Sequence, residues 1–281
     1  MSYKRVLLIS VIFLLCGFVV FVTLKKPSND KNWDDASKTL PEITKKDNLI
    51  HIHNIRNFSY SGKDHISSIA YFDEDFDAGK IKNVYFLVNP FSENSLFAHT
   101  FFSFVFTDGK SVSVSVEARK EKGEEYSSIK GLLRHYELMI LWGSEKDFFS
   151  RRSVYFGEDL YRYRLDISTT TAQSLLTHLA DETILLSQTP RFYNTVFENC
   201  TNVLADVANK VHPGSIPWNI ARVFTGKADE FLYKKGLLFI GTGSYKDFEE
   251  WREDHNISPS VRKTLNQNPT LTPYGFSKII D

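Results

Sequence analysis

The sequence predicts an α+β domain in which an antiparallel sheet packs against helices on one face, with an N-terminal transmembrane helix before it. Two observations predict the domain: short β-type runs begin at residue 49, and helical runs follow them along the chain. Strands that precede helices, rather than alternating with them, are typical of α+β folds. An uncharged apolar run at the N-terminus predicts the membrane helix.

Residues 1–26 are predicted to form an uncleaved transmembrane signal anchor. Val6 to Leu24 carries no charge, and at about 1.5 Å per residue it approaches the ~30 Å of a hydrocarbon core. No small-x-small cleavage site stands near its end. We expect a single-pass protein of the cytoplasmic membrane with its domain on the periplasmic side, although basic residues flank the run on both sides.

The rest of the chain divides into three parts. Residues 27–48 are polar and predict a stalk, residues 49–250 form the folded domain, and residues 251–281 contain several prolines and predict an irregular extension. The predicted strands are Leu49–Ile55, Val84–Val88, Ala98–Phe106, Ser111–Ala118, Glu137–Trp142 and Leu160–Ile167. The predicted helices are Thr171–Leu186, Cys200–Val211 and Ile220–Lys234.

Composition narrows the range of partners. The 281-residue chain is 42% hydrophobic, which suffices for one full core. Its 34 basic residues balance its 34 acidic ones, so we expect no nucleic acid partner. Cys16 lies in the apolar run and could not reach Cys200, so we expect Cys200 to be a free thiol.

The stretch around Cys200 has the pattern of a reactive thiol. Asn199 is a good N-cap residue for the helix that follows, which would place Cys200 in the first turn. Unpaired backbone N–H groups and the positive end of the helix dipole lower a thiol pKa at that position. The alternative is a small buried cysteine that only fills space beneath a helix.

His99 is the best candidate for a base that would serve this thiol. It opens an aromatic-rich strand, and Thr107-Asp108-Gly109 predicts a hairpin turn at the far end of that strand. A three-residue loop with a left-handed Gly109 would pair His99 with Glu117, which would then orient the imidazole. A two-residue loop would place Ala118 opposite His99 instead.

Two further polar residues lie on the second strand of this hairpin. Ser115 is the fallback partner for His99. Arg119 shares the face of Glu117, where it would neutralise that carboxylate, bind an anionic substrate group, or form an ordinary surface ion pair.

His51-Ile52-His53 places two histidines on one face of a strand. No cysteine or carboxylate cluster with ligand spacing accompanies them in the sequence, so no metal site and no cofactor is predicted.

Several motifs, taken in order, resemble a known family. They are Ala98-His99-Thr100-Phe101, Ser115-Val116-Glu117-Ala118-Arg119, Tyr136-Glu137-Leu138, Phe192-Tyr193-Asn194 and Glu198-Asn199-Cys200-Thr201. Over roughly Leu49 to Val211 the chain resembles the bacterial envelope family of N-terminal periplasmic domains of Lnb-type lipoprotein N-acyltransferases. More distantly, it is similar to the circularly permuted NlpC-type papain-like thiol enzymes.

The resemblance implies a permuted papain-like scaffold with a Cys200–His99 catalytic pair, assisted by Glu117 or Ser115. Tyr193, Asn199 and Thr201 join Ser115 and Arg119 as candidate binding residues. The resemblance implies a multi-span membrane region after the periplasmic domain of the acyltransferase. This chain differs from it, because nothing after Val211 is long and apolar enough to span a membrane.

Two functions follow from these patterns. The first is a membrane-anchored envelope thiol enzyme that transfers or hydrolyses an acyl group through an acyl-enzyme, with a lipid, lipoprotein or peptide as substrate. The second is a catalytically silent, membrane-tethered binding domain in which Cys200 is structural.

Overall fold

The computed structural model describes residues 3–63, 65–91 and 94–276. The strands are β1 (Glu42–Lys46), β2 (Leu49–Arg56), β3 (Ser59–Gly62), β4 (His65–Ser68), β5 (Tyr71–Asp77), β6 (Ile81–Phe91), β7 (Asn94–Phe106), β8 (Ser111–Arg119), β9 (Glu137–Gly143) and β10 (Tyr161–Arg164). The α-helices are α1 (Tyr3–Thr23), α2 (Ser128–Leu132), α3 (Glu145–Ser150), α4 (Thr169–Gln188), α5 (Cys200–Val211), α6 (Ala228–Lys234), α7 (Phe248–Asp254) and α8 (Ser258–Gln267). Short 3-10 turns lie at Ala78–Lys80, Ile220–Arg222 and Thr225–Lys227, and a π-helical turn at Arg151–Tyr155.

The main sheet has the strand order β1-β2-β9-β8-β7-β6-β10, with β5 also paired to β2. Strands β3 and β4 form a separate two-stranded sheet. Most neighbours are antiparallel, but β2 and β9 run parallel where Arg56 lies opposite Gly143. The sheet is therefore mixed, and the prediction of an antiparallel sheet is wrong at this one pairing. Alternation along a strand gives no information on the direction of a neighbour distant in sequence.

Helices cover both faces of the sheet, whereas the sequence predicted cover on one face only. On the first face, α4 and α5 pack on side chains such as Phe104 and Trp142. On the second face, Phe101 and Leu141 pack against α3, α8 and the buried Phe276. Strand β8 is consequently buried on both faces along most of its length.

The serines of β8 explain why this second layer was missed. They alternate with valine, which is typical of a strand with one solvated face. Here Ser111 is fully buried and, together with Ser103 of β7, donates a hydrogen bond to the buried Glu145 carboxylate, at 3.2 and 2.6 Å. The serine face of β8, which has the pattern of a solvated face in the sequence, is therefore buried beneath α3 as a polar layer.

The two segments predicted to be extended also lie against the domain. In residues 27–48, β1 pairs with β2, and Trp33 is buried with its ring 4.1 Å from the Arg119 guanidinium. In residues 251–281, Trp251 is fully buried against Tyr163, with ring centroids 5.0 Å apart. In each segment an apolar residue isolated among polar ones anchors the chain to the domain. Both segments therefore pack on the domain, which their composition did not predict.

Helix α1 forms within the stretch predicted to be the anchor. Among residues 3–63, 65–91 and 94–276, no helix combines the length and the apolar character needed to cross a membrane. The predicted transmembrane helix therefore has no support in the structure.

Candidate functional site

Cys200 is the first residue of α5, as the capping pattern predicted. Asn199 has an extended backbone, and its side-chain carbonyl accepts a hydrogen bond of 2.8 Å from the Asn202 backbone N–H. The Asn199 amide group also donates to the carbonyls of Thr195 and Arg222, both at 2.9 Å. The cap therefore fixes the first turn of α5 to two loops, and Cys200 lies there as a free and largely buried thiol.

The hairpin between β7 and β8 has the three-residue loop. Phe101 lies opposite Ser115, and Val105 lies opposite Ser111. Gly109 adopts a φ of 83°, the left-handed conformation that this loop requires. The register that turns Glu117 toward His99 is thereby confirmed.

Ser115 and Glu117 both reach the same imidazole nitrogen. His99 Nε2 lies 2.6 Å from Ser115 Oγ and 3.2 Å from Glu117 Oε1. The Ser115 hydroxyl donates to Glu117 Oε1 at 2.7 Å, so it accepts from an Nε2–H of His99. The Nε2 atom of His99 is therefore engaged by both side chains. The sequence left Glu117 and Ser115 as alternatives, and the structure uses the two together.

Arg152 is a member of this cluster that the sequence did not indicate. Its guanidinium donates to the Asn89 side chain at 2.8 Å and lies 3.6 Å from Glu117 Oε1. Asn89 lies opposite His99 on β6. Arg151-Arg152 suggests a solvated pair in the sequence, but the π-helical turn brings Arg152 under the sheet, where it is buried.

Arg119 does not reach the site, and its predicted role beside Glu117 is wrong. Its guanidinium donates to the carbonyls of Ser37 and Lys38 at 2.9 Å and to Asn29 at 3.2 Å. Arg119 is buried, and burial lowers its pKa to about 10. It holds the segment before β1 against the domain instead of binding an anion.

The electrostatics of the site favour a thiolate beside an imidazolium. Burial alone would raise the pKa of Cys200, but the hydrogen bond and the charge of His99, with hydrogen bonds from Thr100, lower it to about 7. Burial and the charge of Arg152 act to lower the pKa of His99, but the charge of Glu117 and the hydrogen bonds with Cys200 and Glu117 together outweigh them, so that pKa is raised. The Glu117 carboxyl pKa stays well below its usual value despite burial, chiefly because of His99.

Hydroxyl groups surround the thiol. Thr201 Oγ1 lies 4.0 Å from Cys200 Sγ and 2.9 Å from Thr100 Oγ1. The Tyr193 hydroxyl is 3.4 Å from that of Tyr126. Burial first, and then the negative charge of Cys200, raise the Tyr193 pKa well above its usual value. Tyr193 is therefore a neutral O–H donor close enough to Cys200 to sense its charge.

A second set of residues, which the sequence did not indicate, fixes the strand before His99. The Thr225 hydroxyl donates to the Ala98 carbonyl at 2.6 Å and accepts from the Ala98 N–H at 2.8 Å. At Gly226, a Cβ would lie 2.0 Å from the Ser95 carbonyl oxygen, so only glycine fits there. The Cys200 thiol is 4.0 Å from the same Ala98 carbonyl. Phe224-Thr225-Gly226 carried no motif that distinguishes it from an ordinary turn.

Arg222 supports the site from the other side. It donates to the Asn202 side chain at 2.6 Å and forms an ion pair with Asp206, both residues of α5. This contact ties the 3-10 turn Ile220–Arg222 to the helix that carries Cys200. The sequence predicted one continuous helix over Ile220–Lys234, which would have hidden the contact.

An apolar cavity of about 120 Å³ is partly lined by α5, the helix that carries Cys200. It lies between the sheet, α4, α5 and α6, and its walls include Phe102, Leu175, Thr201 and Ala208. Among the residues that line the cavity, Thr201 is the nearest to Cys200 in the sequence.

The fold and the site together define an α+β domain with a Cys-His-acid cluster at the start of a central helix. The family described as the Lnb N-terminal periplasmic domain matches residues 68–226, which is more than half of the chain, and the chain belongs to this family. No curated protein and no solved structure matches it. Membership supports an extracytoplasmic location for the domain, and the relation to papain-like enzymes stays a prediction.

Proposed function

We propose that the chain is a thiol enzyme of the cell envelope that forms an acyl-enzyme on Cys200. The observation that carries the proposal is the cluster itself: Cys200 lies at the start of α5, and the His99 imidazole is held by Ser115 and Glu117. The hydrogen bond and charge of His99 lower the pKa of the Cys200 thiol to about 7. Catalytic thiols are activated by an adjacent imidazole held by a third group.

In the proposed reaction, Cys200 Sγ attacks an ester or amide carbonyl and forms a new S–C bond. His99 takes the thiol proton and hands it to the departing alcohol or amine as the old C–O or C–N bond breaks. Water or an acceptor amine then attacks the thioester, releasing the acyl group and returning the proton to Cys200. Glu117 stabilises the imidazolium that forms between these steps.

Two donors are available to the oxyanion. The Cys200 backbone N–H lies in the first turn of α5, where it has no partner within the helix. The Tyr193 hydroxyl is a neutral donor near Cys200, as its raised pKa indicates. Paired donors of this kind stabilise the charge that develops on a carbonyl oxygen.

The cavity beside Thr201 supports an acyl group with a hydrocarbon portion. Its walls are almost entirely apolar, and α5 supplies both a part of them and the thiol. A hydrocarbon chain in this cavity would leave its carbonyl carbon toward the start of α5. A lipid or lipoprotein substrate fits these walls better than a polar peptide does.

A second candidate function is a catalytically silent binding domain. It is favoured by the burial of Cys200, which is only 6% exposed. A purely structural thiol at this depth would have a pKa at or above its usual value, because burial disfavours the thiolate.

We also propose that α1 attaches the domain to a membrane. Tyr3, Ile9 and Phe13 of this helix are more than half exposed. Removing residues 3–23 should move the protein from the membrane pellet to the supernatant after alkaline carbonate washing. Finding both forms in the supernatant would refute the attachment.

Turnover of activated esters tests the enzymatic proposal. The purified full-length chain should hydrolyse an aryl ester of a medium-length fatty acid, or transfer its acyl group to an added amine. Cys200→Ser should abolish this turnover, and Cys16→Ser, which changes the other cysteine, should leave it unchanged. Equal turnover in the Cys200→Ser chain would refute the proposal.

A further inference from the structure

A pair of histidines lies far along the sheet from the Cys200 cluster, on the outer face of β2. His51 and His53 alternate with the buried core residues Ile50 and Ile52, and both histidine side chains are partly exposed. Their Nε2 atoms are 3.0 Å apart, and the ring planes are nearly perpendicular at 79°.

An aspartate of β5 holds the other nitrogen of each ring. His51 Nδ1 lies 2.6 Å from Asp75 Oδ1, and His53 Nδ1 lies 2.9 Å from Asp73 Oδ2. The hydrogen bond from His53 is the main reason that the Asp73 pKa is lowered. Because a carboxylate accepts the Nδ1–H of each ring, each neutral imidazole presents a bare lone pair at Nε2.

The two Nε2 atoms are at the distance of an N–H···N hydrogen bond, in which one proton lies between them. A metal ion can take the place of that proton. Histidines that bind metals commonly donate their second N–H to a carboxylate, which fixes the tautomer and makes the coordinating nitrogen more basic. Each of the two histidines here has such a carboxylate at its Nδ1 atom.

We propose that His51 and His53 coordinate a divalent transition-metal ion through their Nε2 atoms, with Asp75 and Asp73 as the carboxylates behind them. Two nitrogens 3.0 Å apart and each about 2.0–2.1 Å from one ion subtend an angle of about 94°. That angle suits adjacent positions in the square or octahedral coordination of Cu²⁺ or Ni²⁺. Tetrahedral Zn²⁺ would need the nitrogens about 0.3 Å further apart.

The remaining coordination positions open toward solvent. Among residues 3–63, 65–91 and 94–276, no group of three or more His, Cys, Asp or Glu side chains is arranged to hold a metal, so the protein provides the two nitrogens and water completes the shell. Glu42 of β1 lies directly opposite His53 and is exposed on the same face. A rotation of its side chain would add an oxygen ligand.

Sequence spacing indicated the two histidines on one strand face, but it could not reveal the carboxylates behind them. The carboxylates lie on β5, which pairs with β2 so that His51 faces Asp75. The site shares no residue with the Cys200 cluster and does not depend on the proposed enzymatic function.

Calorimetric titration of Ni²⁺ into the full-length chain without a polyhistidine tag tests the proposal. We expect one Ni²⁺ per chain, and at least about 100-fold weaker binding in His51→Gln and in His53→Gln. Asp75→Asn should weaken binding about 10–100-fold, as loss of a carboxylate behind a metal ligand does. His65→Gln is the matched control, since His65 is exposed on β4 and its ring contacts Ser61, and it should bind as the wild type does.

Electron paramagnetic resonance of bound Cu²⁺ gives a second readout, in a chain carrying both Cys16→Ser and Cys200→Ser so that no thiol reacts. The spectrum should show hyperfine coupling to two imidazole nitrogens, and to one in His53→Gln. Absence of Ni²⁺ binding in the wild type would overturn the proposal, as would Ni²⁺ binding in both histidine variants as tight as in the wild type.

Discussion

The sharpest consequence of the site is that His99 determines the ionisation of Cys200. Replacing His99 with asparagine keeps a polar side chain opposite Ser115 but removes the imidazolium. Of the causes that lower the Cys200 pKa to about 7, the two largest are the hydrogen bond and the charge of His99. Burial would remain, and it acts in the opposite direction, so the pKa should return to its usual 9.0 or above.

The size of the effect follows from these values. A pKa difference of two units corresponds to about 3 kcal/mol in the free energy of ionisation of Cys200. At pH 7 the ionised fraction of Cys200 would fall from about half to about 1%. The more basic thiolate is also intrinsically about 8-fold more nucleophilic, so the alkylation rate at pH 7 should fall only about 6-fold. The midpoint of the pH profile is therefore a better measure than a single rate.

The assay is the rate of iodoacetamide alkylation against pH, in a Cys16→Ser background so that only Cys200 reacts. The rate should rise with a midpoint near pH 7, and His99→Asn should move that midpoint to about 9 or above. A midpoint at or above the usual 9.0 before His99 is changed would refute the reasoning and favour the silent binding domain. An unmoved midpoint in His99→Asn would show that His99 does not control the thiol.

Three further predictions concern the surroundings of the thiol. Glu117→Gln removes the charge that raises the His99 pKa, so turnover should fall at least about tenfold. Ser115→Ala leaves the direct contact between His99 and the Glu117 carboxylate and should lower turnover less. Steady-state kinetics of the two variants test this order. Gly226→Ala places a Cβ 2.0 Å from the Ser95 carbonyl and should lower the free energy of unfolding by about 1–3 kcal/mol in urea denaturation, with no loss contradicting the close approach. Ala208→Leu narrows the apolar cavity and should reduce turnover of long-chain esters while sparing acetyl esters, so a uniform loss would argue against acyl binding there.

The parts of the site that arise from local sequence were predictable. Asn199 and the start of α5 follow from capping preference, and the β7–β8 register follows from one glycine turn. Both depend on residues close together in the chain, where spacing determines geometry. The turn at Gly109 left two registers open in the sequence, and the structure has the three-residue loop that turns Glu117 toward His99.

The parts that depend on distant packing were not predictable. Arg152 reaches Glu117 only because a second helical layer covers the sheet, and that layer is hidden by the polar appearance of β8. Arg119 has the spacing of an active-site residue, but its guanidinium contacts the Trp33 ring and the Ser37 carbonyl in the segment before β1. Thr225 contacts Ala98 across a long sequence separation. Side-chain type alone does not distinguish these outcomes.

The most direct test of the account is the location of a trapped acyl group. The full-length chain should be incubated briefly with an activated fatty-acyl ester, quenched in acid, digested and analysed by peptide mass spectrometry. The account predicts one acyl group, bound as a hydroxylamine-sensitive thioester to Cys200 and formed much more slowly in His99→Asn. Acylation spread over surface lysines, with Cys200 unmodified, would contradict it.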